Sequence, residues 1–107
     1  MTRSCCVAAA KHPDRVAAVV SRGGRPDLAW DELPAVQAPT LLIVGSEDEP
    51  VLSWNRDSLT QLTCEKELAV VPGATHLFEE PGTLELAAEL ARNWFHRHLH
   101  SDWVALV

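Results

Sequence analysis

The chain has 107 residues, 47% of them apolar, and a formal net charge of −6. That length holds one domain at most, with a small core. The acidic balance argues against nucleic acid and anionic membrane as partners, because both are met by a basic face.

Three cysteines, Cys5, Cys6 and Cys64, are an odd set without regular spacing. They make neither a disulfide framework nor a zinc site, so reduced thiols and a cytoplasmic setting are expected. The short apolar run from Cys5 to Ala10 is interrupted by Lys11 and His12 and does not read as a secretory signal. No run approaches the roughly 18 apolar residues of a membrane helix.

Ser4 to Lys11 reads as the end of a helix, stopped at His12-Pro13 because the residue before proline is pushed out of helical geometry. Arg15 to Ser21 is a short run of small and β-branched residues without alternation, the mark of a strand buried on both faces. Gly23, Gly24 and Pro26 break it. Arg22 to Pro39 reads as loop, with a single helical turn near Asp27 to Asp31 and with Trp30 and Leu33 pinning it to the body.

Thr40 to Val44 is a second buried strand, ending at Gly45-Ser46-Glu47-Asp48. Pro50 opens a helix to about Leu62, with Val51, Leu52, Leu59 and Leu62 on one face and Asp57 and Gln61 on the other. Asn55 falls on the apolar side, against the pattern. Glu67 to Val71 reads as a third buried strand, ending at Pro72-Gly73-Ala74-Thr75-His76. The last helix follows Pro81-Gly82, with Thr83 as its cap and Leu84, Ala87, Ala88, Ala91, Trp94 and Phe95 at helical spacing. His96, Arg97, His98 and His100 suit the negative end of a helix dipole. Residues from about Ser101 form a tail anchored by Trp103.

Strands separated by helical segments predict a parallel sheet with right-handed crossovers. Sites in such sheets form past the C-terminal ends of the strands. Asp48 and His76 both fall there. A carboxylate at Asp48 can orient an imidazole, though Asp48 or Glu49 also reads as a cap for the helix opened by Pro50. His76 is a candidate general base, since histidine titrates near neutrality. An acid after one strand and a histidine after the next keep the chain order Ser…Asp…His. Arg22, Gly23 and Gly24 lie at the same edge, either as a plain turn or as the wall of a pocket for an anionic substrate. Cys64 falls at the opposite edge and reads as structural. His96 and His100 share a helix face without a third ligand and read as solvated.

Three stretches carry a resemblance. Ser21-Arg22-Gly23-Gly24-Arg25-Pro26-Asp27-Leu28-Ala29, Leu42-Ile43-Val44-Gly45-Ser46-Glu47-Asp48 and Val70-Val71-Pro72-Gly73-Ala74-Thr75-His76-Leu77-Phe78 resemble the C-terminal half of a dienelactone-hydrolase-like member of the α/β-hydrolase superfamily. The resemblance runs from about Ala8 to Leu99. It implies the three-layer α/β-hydrolase fold, truncated to about three parallel strands with flanking helices, over the single unit 1–107. It also implies Asp48 as triad acid, His76 as triad base, an ester, lactone or related small acyl substrate, and no cofactor or metal. Some similar proteins are fused to a phosphoribosyltransferase domain, which this chain lacks.

The superfamily seats its serine in a G-x-S-x-G elbow, and no such motif is present. Ser4 lacks the flanking glycines and a preceding strand, and Cys5 and Cys6 read as buried thiols on a helix. Two readings therefore stand. One is a Ser-His-Asp hydrolase whose serine comes from outside this chain. The other is an inactive truncated fragment or an interaction module. In either case the strand Val16 to Val20 is expected at an open sheet edge, inviting self-association or pairing with an N-terminal half.

Overall fold

A computed structural model of the chain describes residues 18–98 and 105–106. The reading of Ser4 to Lys11 as a helix end, and the roles weighed for Ser4, Cys5, Cys6, His100 and Trp103, lie outside those residues. The elements run β1 (Val19–Arg22), a 3-10 helix (Pro26–Ala35), β2 (Thr40–Gly45), α1 (Val51–Gln61), β3 (Lys66–Val71), α2 (Thr83–His98) and β4 (Ala105–Leu106). The sheet order is β3-β2-β1-β4, with every pairing parallel. Val19 pairs with Thr40, and Thr40 in turn pairs with Lys66, so the three long strands start in register.

β2 is the centre because every residue of Thr40–Gly45 is buried. A strand between two neighbours and under helices on both faces has no polar side to show, which explains its unbroken apolar run. On one face Val20, Leu41, Ile43 and Val71 meet Ala87 and Trp94 of α2, with Phe78 and Ala74 closing the top. Burying side chains of this size contributes about 1.5–3 kcal/mol each. Trp94 also donates its indole N–H to the Pro39 carbonyl at 3.2 Å, fixing the end of α2 beneath β2. The 3-10 helix and α1 cover the opposite face, with Leu33, Val36, Leu52 and Leu62 buried there. The result is a three-layer helix–sheet–helix arrangement.

Several expectations are corrected by this packing. β3 is an edge strand, not a fully buried one: its burial runs from exposed to buried, and Val70 is 38% exposed. Lys66 and Glu67, both exposed at its start, are charges of the kind with which edge strands avoid unwanted pairing. The segment after β1 is a ten-residue 3-10 helix, longer than a single turn, started by Pro26 at its first position. Leu33 pins it down, whereas Trp30 is 41% exposed. The far side of β1 is not bare along its length, because Val19 and Val20 pair with Ala105 and Leu106 of β4.

The helix ends follow from local hydrogen bonds. The Glu49 carboxylate accepts from the Ser53 amide at 3.1 Å and from its hydroxyl at 3.0 Å, satisfying a first-turn donor of α1. Lys66 Nζ donates to the Leu59 and Leu62 carbonyls at 2.7 and 2.8 Å, closing the other end. Thr83 is the first residue of α2 and donates its hydroxyl to the Glu80 carbonyl, so it does not act as the expected cap.

Candidate active site

The two strand-end turns are built against each other. After β2, the Ser46 amide donates to the Val71 carbonyl and the Glu47 amide to the Ala74 carbonyl, both at 3.0 Å. In return the Gly73 amide donates to Ser46 Oγ at 2.7 Å. Gly45 permits this approach, since a side chain there would collide with the Ala74 carbonyl. Asp48 leaves this assembly with its own amide bonded to the Gly45 carbonyl and its carbonyl accepting from Leu52.

His76 follows on the opposing turn. Thr75 is held by Glu80, whose carboxylate accepts from the Thr75 amide at 3.1 Å and from its hydroxyl at 2.7 Å. Those bonds, together with one from the Glu80 amide, hold the Glu80 carboxyl below the ordinary range for a glutamate. Two residues past His76, Phe78 takes a positive φ of 54° and is 3% exposed, its ring within the core beneath α2. A bulky residue in that conformation needs its surroundings to hold it, and burial of the ring does so. The turn thus has an anchor on each side of the imidazole.

Asp48 and His76, separated by 28 residues in sequence, meet at 2.8 Å between Oδ2 and Nδ1. The Asp48 side chain is 8% exposed and that of His76 56%. A carboxylate only accepts, so the contact places the imidazole proton on Nδ1 and leaves the Nε2 lone pair free to take a proton. Of the two residues that read as caps for α1, Asp48 and Glu49, it is Glu49 that bonds the first turn.

The glycines after β1 belong to the same edge. Gly23, at φ 63°, donates its amide to the Ile43 carbonyl at 2.7 Å. A Cβ at Gly23 would lie 3.4 Å from both Nδ1 and Cε1 of His76. Arg22 places its guanidinium 5.4 Å from the centre of the Phe78 ring. Sequence reasoning left this turn between two roles and did not connect it to His76. In the sequence Asn55 stands out only as a break in an apolar pattern. It is fully buried, and its Nδ2 donates to the Gly24 carbonyl at 3.1 Å and to the Val51 carbonyl at 2.9 Å. A lone amide on an apolar helix face was the available signal.

Other candidates lie elsewhere. Cys64 is at the opposite edge, with its thiol 3.7 Å from Thr40 Oγ1. His98 packs at a tilt against Trp94, with ring centres 4.4 Å apart, and comes within 3.3 Å of Glu65. His96 is exposed. Among the described residues no three His, Cys, Asp or Glu side chains are grouped closely enough to share a metal ion. No described helix is long and apolar enough to cross a membrane. A groove of about 590 Å³ runs between β1 and α2, lined by Val20, Arg22, Leu84, Ala88, Arg92 and Phe95 among others.

Comparison with known proteins bears on the fold. No protein-family model matches the chain. Two proteins from Mycobacterium tuberculosis strains CDC 1551 / Oshkosh and H37Rv, named provisionally as phosphoribosyl transferases, are 60% identical over 93 residues. Those residues are 87% of this chain and 21% of each relative. The crystal structure of a dienelactone hydrolase from Anabaena variabilis ATCC 29413 superposes with a TM-score of 0.87 at 58% identity, over 89% of this chain and 44% of that one. A CIB-like hydrolase from Thermoplasma acidophilum shares the fold at a TM-score of 0.69 and 20% identity, over 92% of this chain and 47% of that one. The chain therefore spans about a fifth of the curated relatives and less than half of the solved structures it matches. It has the α/β-hydrolase fold and is dienelactone-hydrolase-like in its sequence and its sheet.

Proposed function

We propose that this chain supplies the acid and base of a serine hydrolase acting on carboxylic esters, lactones or related acyl compounds. The observation that carries this reading is the 2.8 Å contact from Asp48 to His76 Nδ1 at the active edge of a parallel sheet. Asp48 holds the imidazole in one tautomer and offsets its charge once protonated. His76 takes the proton of an attacking serine through Nε2 and returns it to the leaving alkoxide. The serine comes from outside the described residues. Similarity to a dienelactone hydrolase supports the acyl class of substrate. A cytoplasmic setting goes with this reading, on cysteines that form no disulfide framework.

The test is to read the frame upstream of Met1, looking within about thirty codons for a strand and its elbow, and to express the whole open frame together with the chain. Hydrolysis of an activated aryl ester that is abolished by His76→Ala is the expected result. Activity that survives this substitution overturns the assignment.

A second reading, of an inactive fragment or interaction module, is favoured by one observation. α2 leaves Leu84, which lines the groove, 48% exposed. A product with a seated serine but no turnover, and with a protein bound on that groove, would support it.

A further inference from the structure

An imidazole that is 56% exposed and tied at one corner by a single hydrogen bond is free to rotate off its acid unless something packs against it. In this protein the glycine turn after β1 is the neighbour that faces it. A Cβ added at Gly23 would lie 3.4 Å from Nδ1 and Cε1, at contact distance, so the turn borders the edge of the ring that carries the Asp48 bond with no side chain between them. Gly23 is fixed on one side by its bond to the Ile43 carbonyl. On the other side Gly24 is fixed by Asn55, which reaches across 31 residues of sequence from the buried face of α1.

Asn55 suits positioning better than packing. Both groups facing Nδ2 are carbonyl oxygens, so the amide has one possible orientation. Its Oδ1 is buried without a partner among the described residues. A buried unpartnered acceptor costs stability, and an apolar side chain of similar volume would serve the core at least as well. What an apolar side chain would not do is hold the Gly24 carbonyl.

We propose that Asn55 is a positioning residue for His76, clamping the Gly23–Gly24 turn against the imidazole so that Nδ1 stays on Asp48. Its catalytic meaning rests on the acyl-hydrolase reading, but the coupling from Asn55 to His76 is testable without any turnover. The test is long-range proton–nitrogen NMR of the His76 ring in the 107-residue chain at fixed neutral pH. The unsubstituted chain shows one tautomer, with a protected proton on Nδ1. Asn55→Leu loses that protection and moves the ring toward a mixture of tautomers. Ser58→Ala is the control. Ser58 is equally buried on the same helix face, and its hydroxyl bonds only within the helix, to the Trp54 carbonyl at 2.9 Å. It leaves the ring signals unchanged.

In a serine-complemented protein, Asn55→Leu lowers kcat at least about tenfold with little change in KM, as expected of a misplaced base. His76 signals that do not move in Asn55→Leu, or that move as far in Ser58→Ala, overturn the proposal. If Asn55→Leu does not fold, the unsubstituted chain decides. A nuclear Overhauser contact between the Gly23 α-protons and His76 Hε1 is expected, and its absence overturns the clamp. An inactive complemented protein with unchanged NMR behaviour would refute the hydrolase reading and leave the clamp standing.

Discussion

Gly45 and Ala74 touch backbone to backbone, and that contact sets the distance between the turns that carry Asp48 and His76. A methyl group at Gly45 would overlap the Ala74 carbonyl and come within 3.0 Å of the Ala74 Cβ. The carbonyl it would displace accepts the Glu47 amide, so the strain would fall on the segment leading to Asp48.

Gly45→Ala is therefore expected to destabilise the chain by about 2–3 kcal/mol, the cost of overpacking against backbone. Urea denaturation measures it through the midpoint at constant slope. The same variant should weaken the Asp48–His76 contact, seen as altered His76 ring signals. A midpoint equal to that of the unsubstituted chain would mean that the two turns are not in fixed contact.

Within a serine-complemented protein, Asp48→Asn should lower kcat by at least about a hundredfold, because an amide at the acid position no longer selects the Nδ1–H tautomer or offsets imidazolium charge. KM should change little. Steady-state kinetics on an activated ester check this. Glu49→Gln is the matched control, since Glu49 bonds the first turn of α1 and not the imidazole. Equal losses in the two variants would mean that Asp48 acts only through the fold.

Glu80 makes an acid-sensitive contribution next to the base. Its folded carboxyl titrates below the ordinary 4.5 because of the Thr75 bonds. The unfolded chain therefore binds more protons in this window, and stability falls as pH drops from about 4.5 through the lower folded value. Above that window the contribution is complete. Melting curves of the unsubstituted chain and Glu80→Gln should differ at neutral pH and converge on acidification. A constant gap across the series would show that the Glu80 charge is not linked to folding.

How far the fold was legible depended on which contacts are local. β2 announced itself through an unbroken apolar run because both its faces are covered. β3 carries a similar run yet lies at the edge, since a short apolar stretch does not record how many neighbours it has. The turns bearing Asp48 and His76 were legible because each directly follows a strand, and strand ends in a parallel sheet share one edge. Asn55 and Gly23 were not linked to them. Their contacts join segments 31 and 53 residues apart in sequence and run through a backbone carbonyl and the open face of a glycine, neither of which leaves a pattern in residue type. The pairing of β4 with β1 was missed for a related reason: two residues are too few to carry a strand signal.

That pairing also redirects the expectation of self-association. The side of β1 expected to be open is occupied at Val19 and Val20 by β4. One apolar surface left among the described residues is the groove between β1 and α2, where Leu84 is 48% exposed and Arg22 and Arg92 supply positive charge. Each copy carries a net charge of −6, so association through it relies on the apolar lining rather than on charge. We propose that the isolated chain associates through this groove at micromolar concentration. Light scattering should then give more than the monomer mass. Paired Leu84→Glu and Ala88→Glu, at two exposed positions of α2, should return a folded monomer whose melting no longer depends on protein concentration. A monodisperse monomer of the unsubstituted chain rules the association out. Association that persists in the double variant places it on another surface, the outer edge of β3 being the next candidate.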